Sequence, residues 1–281
     1  MEERLQKLMA QANLGSRRSC EVIIAEGRVT VNSQVAKLGD KADLNRDRIE
    51  VDGRPIASPM GGSATQPLIY IALNKPRGII SSLEDEMMAG RPTVRDLIDL
   101  GKEYHIYPVG RLDKPSEGLV LMTNDGALAH RLTHPRYGHE KVYDVTVEGR
   151  IAEKKLDQWR RGVVLDDRIT APAPIELVEL GQDSTRLRIV LREGRKRQIR
   201  RIAAALGHPV RRLIRERIGP ISLGDLPSGK WRYLTESEVN MLKVSVIEED
   251  TSRNPSIKGI PPHKTGRASG KKEYRADRPI T

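Results

Sequence analysis

The sequence predicts an α+β protein: a small N-terminal module, then a larger domain whose mixed, mainly antiparallel sheet is flanked by helices. Three observations predict this fold class. The first 55 residues follow a helix, helix, strand pattern. A stretch rich in Pro, Gly and small polar residues then interrupts that pattern. Beyond it, strand and helix signals alternate, and several strands are joined by loops too short for a parallel crossover.

The module begins with two short helices. Apolar residues recur at spacings of three and four through residues 2–12, which predicts an amphipathic helix. Ser16 stands where an N-cap belongs, before a second helix over 17–26 that Gly27 ends. The apolar residues of this second helix that we expect to be buried are Val22, Ile23 and Ile24.

Two short strands complete the module, and a linker follows it. Residues 28–32 alternate as a strand, and residues 49–53 repeat the strand-then-turn pattern. The segment 59–67 has no apolar period and is the predicted linker. The N-terminal domain is therefore assigned to residues 1–58, and the second domain to residues 68–250.

Strand and helix patterns alternate through the second domain. The predicted strands are 68–73, 118–122, 142–147 and 187–191. The predicted helices are 93–100, 125–133, 153–160 and 198–206. The final segment, 251–281, has almost no large aliphatic residues and is rich in Pro and Gly. It cannot bury enough surface to offset its ordering entropy, so we predict a disordered basic tail.

The composition excludes several classes of protein. Apolar residues make up 37% of the 281 residues, but seven Tyr, two Trp and no Phe require an aliphatic core. The single cysteine, Cys20, cannot form an intramolecular disulfide and is predicted to be a small buried hydrophobe. The N-terminus is charged from its second residue, and no apolar run approaches the roughly 18 residues that span a bilayer. We therefore expect a cytoplasmic protein without membrane contact.

The positive charge is unevenly distributed. A formal net charge of +11 suggests a polyanionic partner. Residues 192–217, here called the Arg stripe, carry ten Lys or Arg against two acids, and the tail 251–281 carries eight against two. The stripe predicts contacts with RNA phosphates, and one arginine turned inward could hold a buried carboxylate ionised. The tail is either an electrostatic tether to RNA or merely solubilising.

Asp113 is the most informative acidic residue. It lies in a loop bounded by Gly110 and Gly118, directly before an apolar strand, where loops carry chemistry on a rigid scaffold. From spacing alone its carboxylate is a nucleophile, a general base, a metal ligand or a turn-forming group. Glu117, four residues later, could complete a glycosidase-like dyad, but no second acid cluster or sugar-stacking aromatic supports that function.

The segment LNKPRG ends a predicted strand. Pro76 fixes a turn and Gly78 permits positive φ, which predicts that Lys75 and Arg77 are displayed at a strand edge to position a phosphate. A basic β-turn is the alternative. No GxxxxGK[ST] motif precedes a helix, which argues against nucleotide hydrolysis.

His130 and His134 are four residues apart on a predicted helix, a spacing at which two imidazoles can share a zinc ion. No motif supplies a third ligand, so we expect no metal site. Tyr143 alternates with core valines and, taken alone, is typical of a core tyrosine.

In combination these segments resemble the RsuA/RluB family of pseudouridine synthases. The match runs from Glu3 to about Glu248. It starts with SRRSCEVIIAEGRVTVN, similar to the S4 RNA-binding domain, and continues with LNKPRG, GRLD, SEGLVLMTNDG, THPRY, EKVYDVTVEG, EGRKRQIRR and RIGPISLGDLPSGKWRYLT. The order and spacing of the motifs make the combination specific. Lys114 and Pro115 depart from the aromatic and polar residues that usually follow GRLD in the family.

The resemblance implies a cofactor-independent isomerisation of uridine to pseudouridine in ribosomal RNA, after the target base is flipped out. Large-subunit (23S) RNA ranks above small-subunit (16S) RNA as the substrate. A non-catalytic RNA-binding protein of ribosome assembly is the alternative from another class, and in either case we expect a monomer. Attack on the base, attack on the ribose and abstraction of a ribose proton stay open as pathways, and all need an ionised carboxylate.

The resemblance also assigns roles to residues. Asp113 is the catalytic aspartate, Tyr143 packs on the target base and helps remove the proton at carbon 5, and Arg200 pairs with the aspartate. Arg111 takes the place vacated by the flipped base, and Lys75 supports the loop. The substrate-binding residues that it implies are Arg111, Lys75, Asn74, Arg197, Gln198, Arg17 and Arg18, the last two facing phosphate at a helix N-terminus.

Overall fold

A computed structural model of the chain describes residues 2–12, 14–56, 67–83, 90–101, 104 and 106–253, the side chains as far as residue 247. The predicted linker 59–67 lies outside the described residues apart from Pro67, and so does the predicted tail from residue 254 onward. None of the helices in the described parts is long and apolar enough to cross a bilayer.

The N-terminal module combines two helices with short antiparallel strands. Its elements are β1 (Glu3–Arg4), α1 (Leu5–Gln11), α2 (Arg17–Ala25), β2 (Val29–Val31), β3 (Gln34–Val35), β4 (Lys41–Ala42), β5 (Ile49–Val51) and β6 (Arg54–Pro55). Four of the strands form a sheet in the order β3-β2-β5-β6, and β1 pairs with β4. The helix, helix, strand order predicted from the sequence is confirmed from Leu5 onward, but the first residues of the helix predicted over 2–12 form the short strand β1 instead.

Helix α2 shows how the module is built. The Ser16 side chain accepts a hydrogen bond from the Ser19 N–H at 3.1 Å and so caps the helix as predicted. Cys20 and Ile24 are buried, and burial raises the pKa of the Cys20 thiol. The prediction that Val22 is buried is wrong, since 56% of this residue is exposed. At 3.6 residues per turn, Val22 lies on the opposite side of α2 from Cys20 and Ile24.

The second domain alternates strands and helices. Its elements up to β12 are β7 (Tyr70–Lys75), β8 (Tyr107–Val109), β9 (Glu117–Thr123), α3 (Gly126–Thr133), β10 (Lys141–Glu148), α4 (Glu153–Arg161), β11 (Val164–Leu165) and β12 (Arg168–Ile169). The remaining elements are β13 (Ile175–Leu180), β14 (Ser184–Leu191), α5 (Gln198–Ala205), β15 (Val210–Ile218), β16 (Ile221–Ser222), β17 (Trp231–Tyr233) and α6 (Glu236–Arg253).

The second domain is built around one nine-stranded sheet. Its main path runs β13-β14-β10-β15-β9-β7-β17, with β16 paired to β15 and β8 paired to β9. The pairing of β9 with β15 is parallel and the other strand pairs of this sheet are antiparallel, which confirms the predicted mixed, mainly antiparallel sheet. One face buries an aliphatic cluster with residues of α4 and α5, and the other buries a second cluster with residues of α3 and α6.

The predicted helix over 93–100 is wrong. The Asp96 carboxylate accepts a hydrogen bond from the Thr93 N–H at 2.7 Å, and the Arg95 guanidinium donates to the carbonyls of Ile98 at 3.1 Å and Leu100 at 2.9 Å. These bonds between side chains and backbone offer the segment an alternative to helical pairing, so it forms a turn.

The C-terminal helix α6 was not predicted. It spans Glu236–Arg253 and so passes the predicted domain end at residue 250. Its Leu242 and Val246 are buried in the cluster that also contains Leu119 of β9. The apolar residues of α6 make a weak periodic pattern, which is why sequence reasoning missed the helix.

Candidate active site

The loop that carries Asp113, residues 110–116, connects β8 to β9 and is held through its backbone. The hydroxyl of Ser81 accepts a hydrogen bond from the Leu112 N–H at 3.1 Å and donates to the Leu112 carbonyl at 2.9 Å. The Gly78 N–H donates to the Lys114 carbonyl at 2.8 Å. Within the loop, the Ser116 N–H donates to the Asp113 carbonyl at 2.9 Å. The LNKPRG turn therefore braces the loop that carries the carboxylate.

Lys75 supports the same loop from inside the protein. It is fully buried, and its Nζ donates hydrogen bonds to the carbonyls of Ser116 at 2.7 Å and Pro76 at 3.0 Å. Its predicted display at a strand edge is wrong, because strand alternation places Lys75 on the buried face that also holds Leu73. Burial lowers the pKa of Lys75 to about 8, against the opposing effect of the nearby Glu117 and Asp113 carboxylates.

This buried amine is expected to make the stability of the protein depend on pH. Unfolding returns the pKa of Lys75 from about 8 to its ordinary value of 10.5, so between these values the unfolded chain binds more protons at Lys75. The free energy of unfolding should therefore gain up to about 1.4 kcal/mol per pH unit across this window from Lys75. A Lys75→Met variant should lack that gain in urea unfolding measured at either end of the window.

Lys154→Met is the matched control, since Lys154 is exposed on α4. Its stability should follow the pH dependence of the parent protein. If Lys75→Met also follows the parent through the window, Lys75 does not titrate there.

Arg200 of α5 braces the loop from another side. Its Nη2 donates to the Pro115 carbonyl at 3.0 Å and the Ser116 hydroxyl at 3.1 Å, and its Nη1 donates to the Val210 carbonyl at 3.4 Å. Burial lowers the pKa of Arg200, and the Asp113 charge opposes this shift. The direct pairing of Arg200 with Asp113 that the resemblance implies is not formed. The guanidinium instead binds Pro115 and Ser116, which follow Asp113 by two and three residues. The charges of Arg200 and Asp113 therefore act on each other without an ion pair.

Four residues stand side by side on one face of the sheet. In the strand register Lys75 is opposite Gly118, Gly118 is opposite Arg215, and Arg215 is opposite Tyr143. Because cross-strand partners point to the same face, the side chains of Lys75, Arg215 and Tyr143 form a row beneath the loop. Tyr143 is 8% exposed, and no hydrogen bond to another described residue holds its hydroxyl.

Sequence reasoning missed Arg215. This residue is 2% exposed, its Nε donates to the Leu119 carbonyl at 2.8 Å, and its Nη2 has no hydrogen-bond partner among the described residues. The sequence pattern indicated that Arg215 is buried, because Arg215 follows the buried Leu213 at the strand period of two. The high density of arginine in the Arg stripe obscured it.

The amides of two predicted substrate-binding residues are hydrogen-bonded within the protein. Asn74 lies on the sheet face opposite Lys75, and its Nδ2 donates to the Leu226 carbonyl at 2.7 Å. Gln198 is 4% exposed, and its Nε2 donates to the Glu193 carboxylate at 2.7 Å. By contrast, Arg111 and Arg197 are exposed.

Carboxylates neutralise much of the Arg stripe. Its ion pairs include Arg192 with Glu140, Arg201 with Asp166, Arg211 with Asp183, Arg212 with Glu117, and Arg217 with Glu140. Exposed pairs of this kind contribute little stability and open readily, so the predicted contacts with RNA phosphates would compete with these carboxylates. The pairing of Glu117 with Arg212 also places this carboxylate on the sheet face opposite Lys75, which excludes a dyad with Asp113.

The N-terminal module presents Arg17 and Arg18 in the first turn of α2, and both are exposed. Cations at this end of a helix oppose the helix dipole, whereas an anion there is stabilised. The arrangement suits contact with a phosphate.

The fold and two family models together define the class of the protein, an RNA-modifying enzyme that carries its own RNA-binding module. A family model described as S4 domain matches residues 3–49, and one described as RNA pseudouridylate synthase matches residues 69–205. The chain belongs to the RNA pseudouridine synthases, in the RsuA/RluB family that carries an N-terminal S4 domain.

Individual relatives agree with this family. The chain is 42% identical over 243 residues to an uncharacterized RNA pseudouridine synthase of Aquifex aeolicus (strain VF5), covering 86% of this chain and 94% of the relative. It is 39% identical over 244 residues to ribosomal large subunit pseudouridine synthase B of Bacillus subtilis (strain 168), covering 86% and 96%. A crystal structure of a pseudouridylate synthase superposes with a TM-score of 0.61 at 30% identity, covering 85% of this chain and 99% of that one.

Proposed function

We propose that the protein converts a uridine of large-subunit (23S) ribosomal RNA to pseudouridine, with Asp113 as the catalytic carboxylate. The observation that carries the proposal is the Asp113 loop, which is braced through its backbone carbonyls by the buried Lys75 and the half-buried Arg200, with no ion pair from either to the carboxylate. The names of the relatives from Bacillus subtilis and Escherichia coli, ribosomal large subunit pseudouridine synthase B, support large-subunit RNA as the substrate.

The reaction is an isomerisation and balances without a co-substrate. The bond from ribose C1′ to uracil N1 breaks, a bond from C1′ to C5 forms, C5 loses a proton, and N1 gains one. The target base is inaccessible inside a stacked helix, so the nucleotide must be extruded at a cost of roughly a few kcal/mol. The site has to offset that cost and to hold an ionised carboxylate at the reacting atoms.

The geometry supports both tasks. No hydrogen bond from a described residue ends on the Asp113 carboxylate, so both of its oxygens are available to the substrate. Lys75 and Arg200 lie near this carboxylate as positive charges, and both are anchored to backbone carbonyls rather than to the carboxylate itself. Tyr143 offers an aromatic face for the extruded base beside this site. Arg111, exposed two residues before Asp113, is suited to fill the gap in the RNA helix.

Mapping of pseudouridine in ribosomal RNA tests the proposed substrate. A carbodiimide adduct marks each pseudouridine as a stop for reverse transcriptase, and we expect a strain without the gene to lose a stop in large-subunit RNA only. The wild-type gene should restore the stop.

Each other result of the mapping identifies an alternative. Loss of a stop in small-subunit (16S) RNA would transfer the activity to that RNA. An unchanged map, with an assembly defect that the Asp113→Asn variant rescues, would show a non-catalytic assembly protein.

A further inference from the structure

Three aromatic rings form a continuous exposed cluster at the end of α3. The ring centroids of His130 and His134 are 5.1 Å apart, and those of His134 and Tyr137 are 6.0 Å apart. Both histidines are exposed and Tyr137 is half-buried. These three residues are called the ring cluster below. The site described above uses none of them.

The local sequence holds the ring cluster in shape. A spacing of four residues places His130 and His134 on one side of the last helical turn, and the His134 N–H donates to the His130 carbonyl at 2.9 Å. Pro135 then favours a tight turn, which the Tyr137 N–H closes by donating to the His134 carbonyl at 3.1 Å. The Arg136 N–H donates to His134 Nδ1 at 3.1 Å and fixes the imidazole. The rings are therefore ordered before any ligand arrives.

The ring cluster adjoins the Asp113 loop. Thr133, the last residue of α3, approaches Gly110 so closely that a Cβ built on Gly110 would lie 3.7 Å from Thr133 Cγ2. Gly110 begins the loop that leads through Arg111 to Asp113. The C-terminal end of α3, which carries the rings, therefore lies beside the start of the loop that carries Asp113.

The charge around the ring cluster also suits RNA. Residues 126–139 contain two arginines, three histidines and no acidic residue. Zinc does not explain the two histidines, because no His, Cys, Asp or Glu group among the described residues is arranged to hold a metal ion. Core packing does not explain them either, because both histidines are exposed. Exposed rings in a basic surrounding are the usual platform for unpaired nucleobases.

We propose that the ring cluster is a second nucleobase site, which stacks an unpaired base of the substrate RNA next to the target uridine. This inference rests on the proposed function and adds to it, because Tyr143 receives the target base whereas His134 receives a neighbour. Stacking on an aromatic side chain is sequence-tolerant, so the ring cluster holds the strand in position and does not read its sequence.

A His134→Ala variant of the full chain tests the ring cluster. We expect its half-saturating concentration of transcribed large-subunit rRNA to rise about tenfold in single-turnover assays, with a smaller effect on the maximal rate. Its affinity for a short labelled oligoadenylate, measured by fluorescence anisotropy, should fall by a similar factor. His134→Phe keeps a ring at this position and should restore both values.

Two further variants serve as a second test and as a control. His130→Ala replaces an exposed helical residue by the best helix former, so it should fold and weaken binding in the same direction. Tyr233→Ala removes a ring that is 53% exposed on β17, the strand at one end of the main sheet path, and should bind RNA like the parent protein.

The ring-cluster proposal is overturned if His134→Ala binds both RNAs as the parent does, or if His134→Phe is as weak as His134→Ala. If the parent protein forms no pseudouridine in the rRNA, the proposed function fails, while the oligoadenylate measurement still decides whether the rings stack bases.

Discussion

Replacement of Asp113 by Asn is expected to abolish pseudouridine formation, by a factor of at least about 10⁴, while RNA binding changes less than about twofold. The amide has nearly the shape of the carboxylate but can neither act as a nucleophile nor accept a proton. The loop should keep its position, because Lys75 and Arg200 are bound to the Ser116 and Pro115 carbonyls and not to the Asp113 carboxylate. Single-turnover assays and filter binding on the same rRNA transcript measure the two effects.

Glu117→Gln is the matched control for this carboxylate. Glu117 lies four residues further on, but it pairs with Arg212 at 3.0 Å on the opposite face of the sheet. Its amide variant should therefore keep an activity close to that of the parent protein. Activity retained by Asp113→Asn would remove Asp113 from the role proposed for it, and activity lost in Glu117→Gln would show that amide substitution in this segment is not specific to the Asp113 carboxylate.

Replacement of Gly118 by Ala is expected to destabilise the protein by on the order of 3 kcal/mol and to reduce activity with it. Gly118 has a φ of +103°, and a Cβ there would lie 2.6 Å from the Arg215 nitrogen and closer still to its carbonyl oxygen. Backbone atoms cannot move aside as a flexible side chain can. The methyl group would therefore force apart the parallel strands β9 and β15. The pairing of these strands places Arg215 opposite Gly118, which Lys75 faces from the other side.

The Gly224→Ala variant is the matched control, because it has the cost of positive φ without the steric clash. Gly224 has a φ of +57°, and a Cβ there would meet no atom within 4 Å. Its substitution should cost only about 1 kcal/mol. Urea unfolding of both variants makes the comparison, and equal losses of stability would show that the contact with Arg215 has no special role.

Much of the fold could be predicted because its signals are local. Ser16 was recognised as a helix cap, and the apolar alternation of residues 142–147 predicted the strand that the structure shows as Lys141–Glu148. The segment 93–100 failed because its apolar spacing fits a helix, while the side chains of Asp96 and Arg95 bind backbone groups of the same segment. Local patterns cannot show which of these competing bonds the folded protein makes.

The candidate site was predictable in part. The motifs drew attention to Asp113, Lys75 and Arg200, and the structure brings these three residues to one loop. Asn74 and Gln198 lie within the same motifs, yet their amides bind other parts of the protein. Membership of a motif does not show where a side chain points, because neighbouring residues of a strand face opposite sides of the sheet.

By itself the sequence determined the two-part architecture, the aliphatic core and the family, since composition, periodicity and the order of motifs are properties of the chain alone. Only the tertiary structure decided that Lys75 is buried and that Arg215 stands between Gly118 and Tyr143. The physical reason is that these neighbours come from strands distant in sequence. Their contacts depend on the order and register of strands in the sheet, which pairing across the whole domain sets.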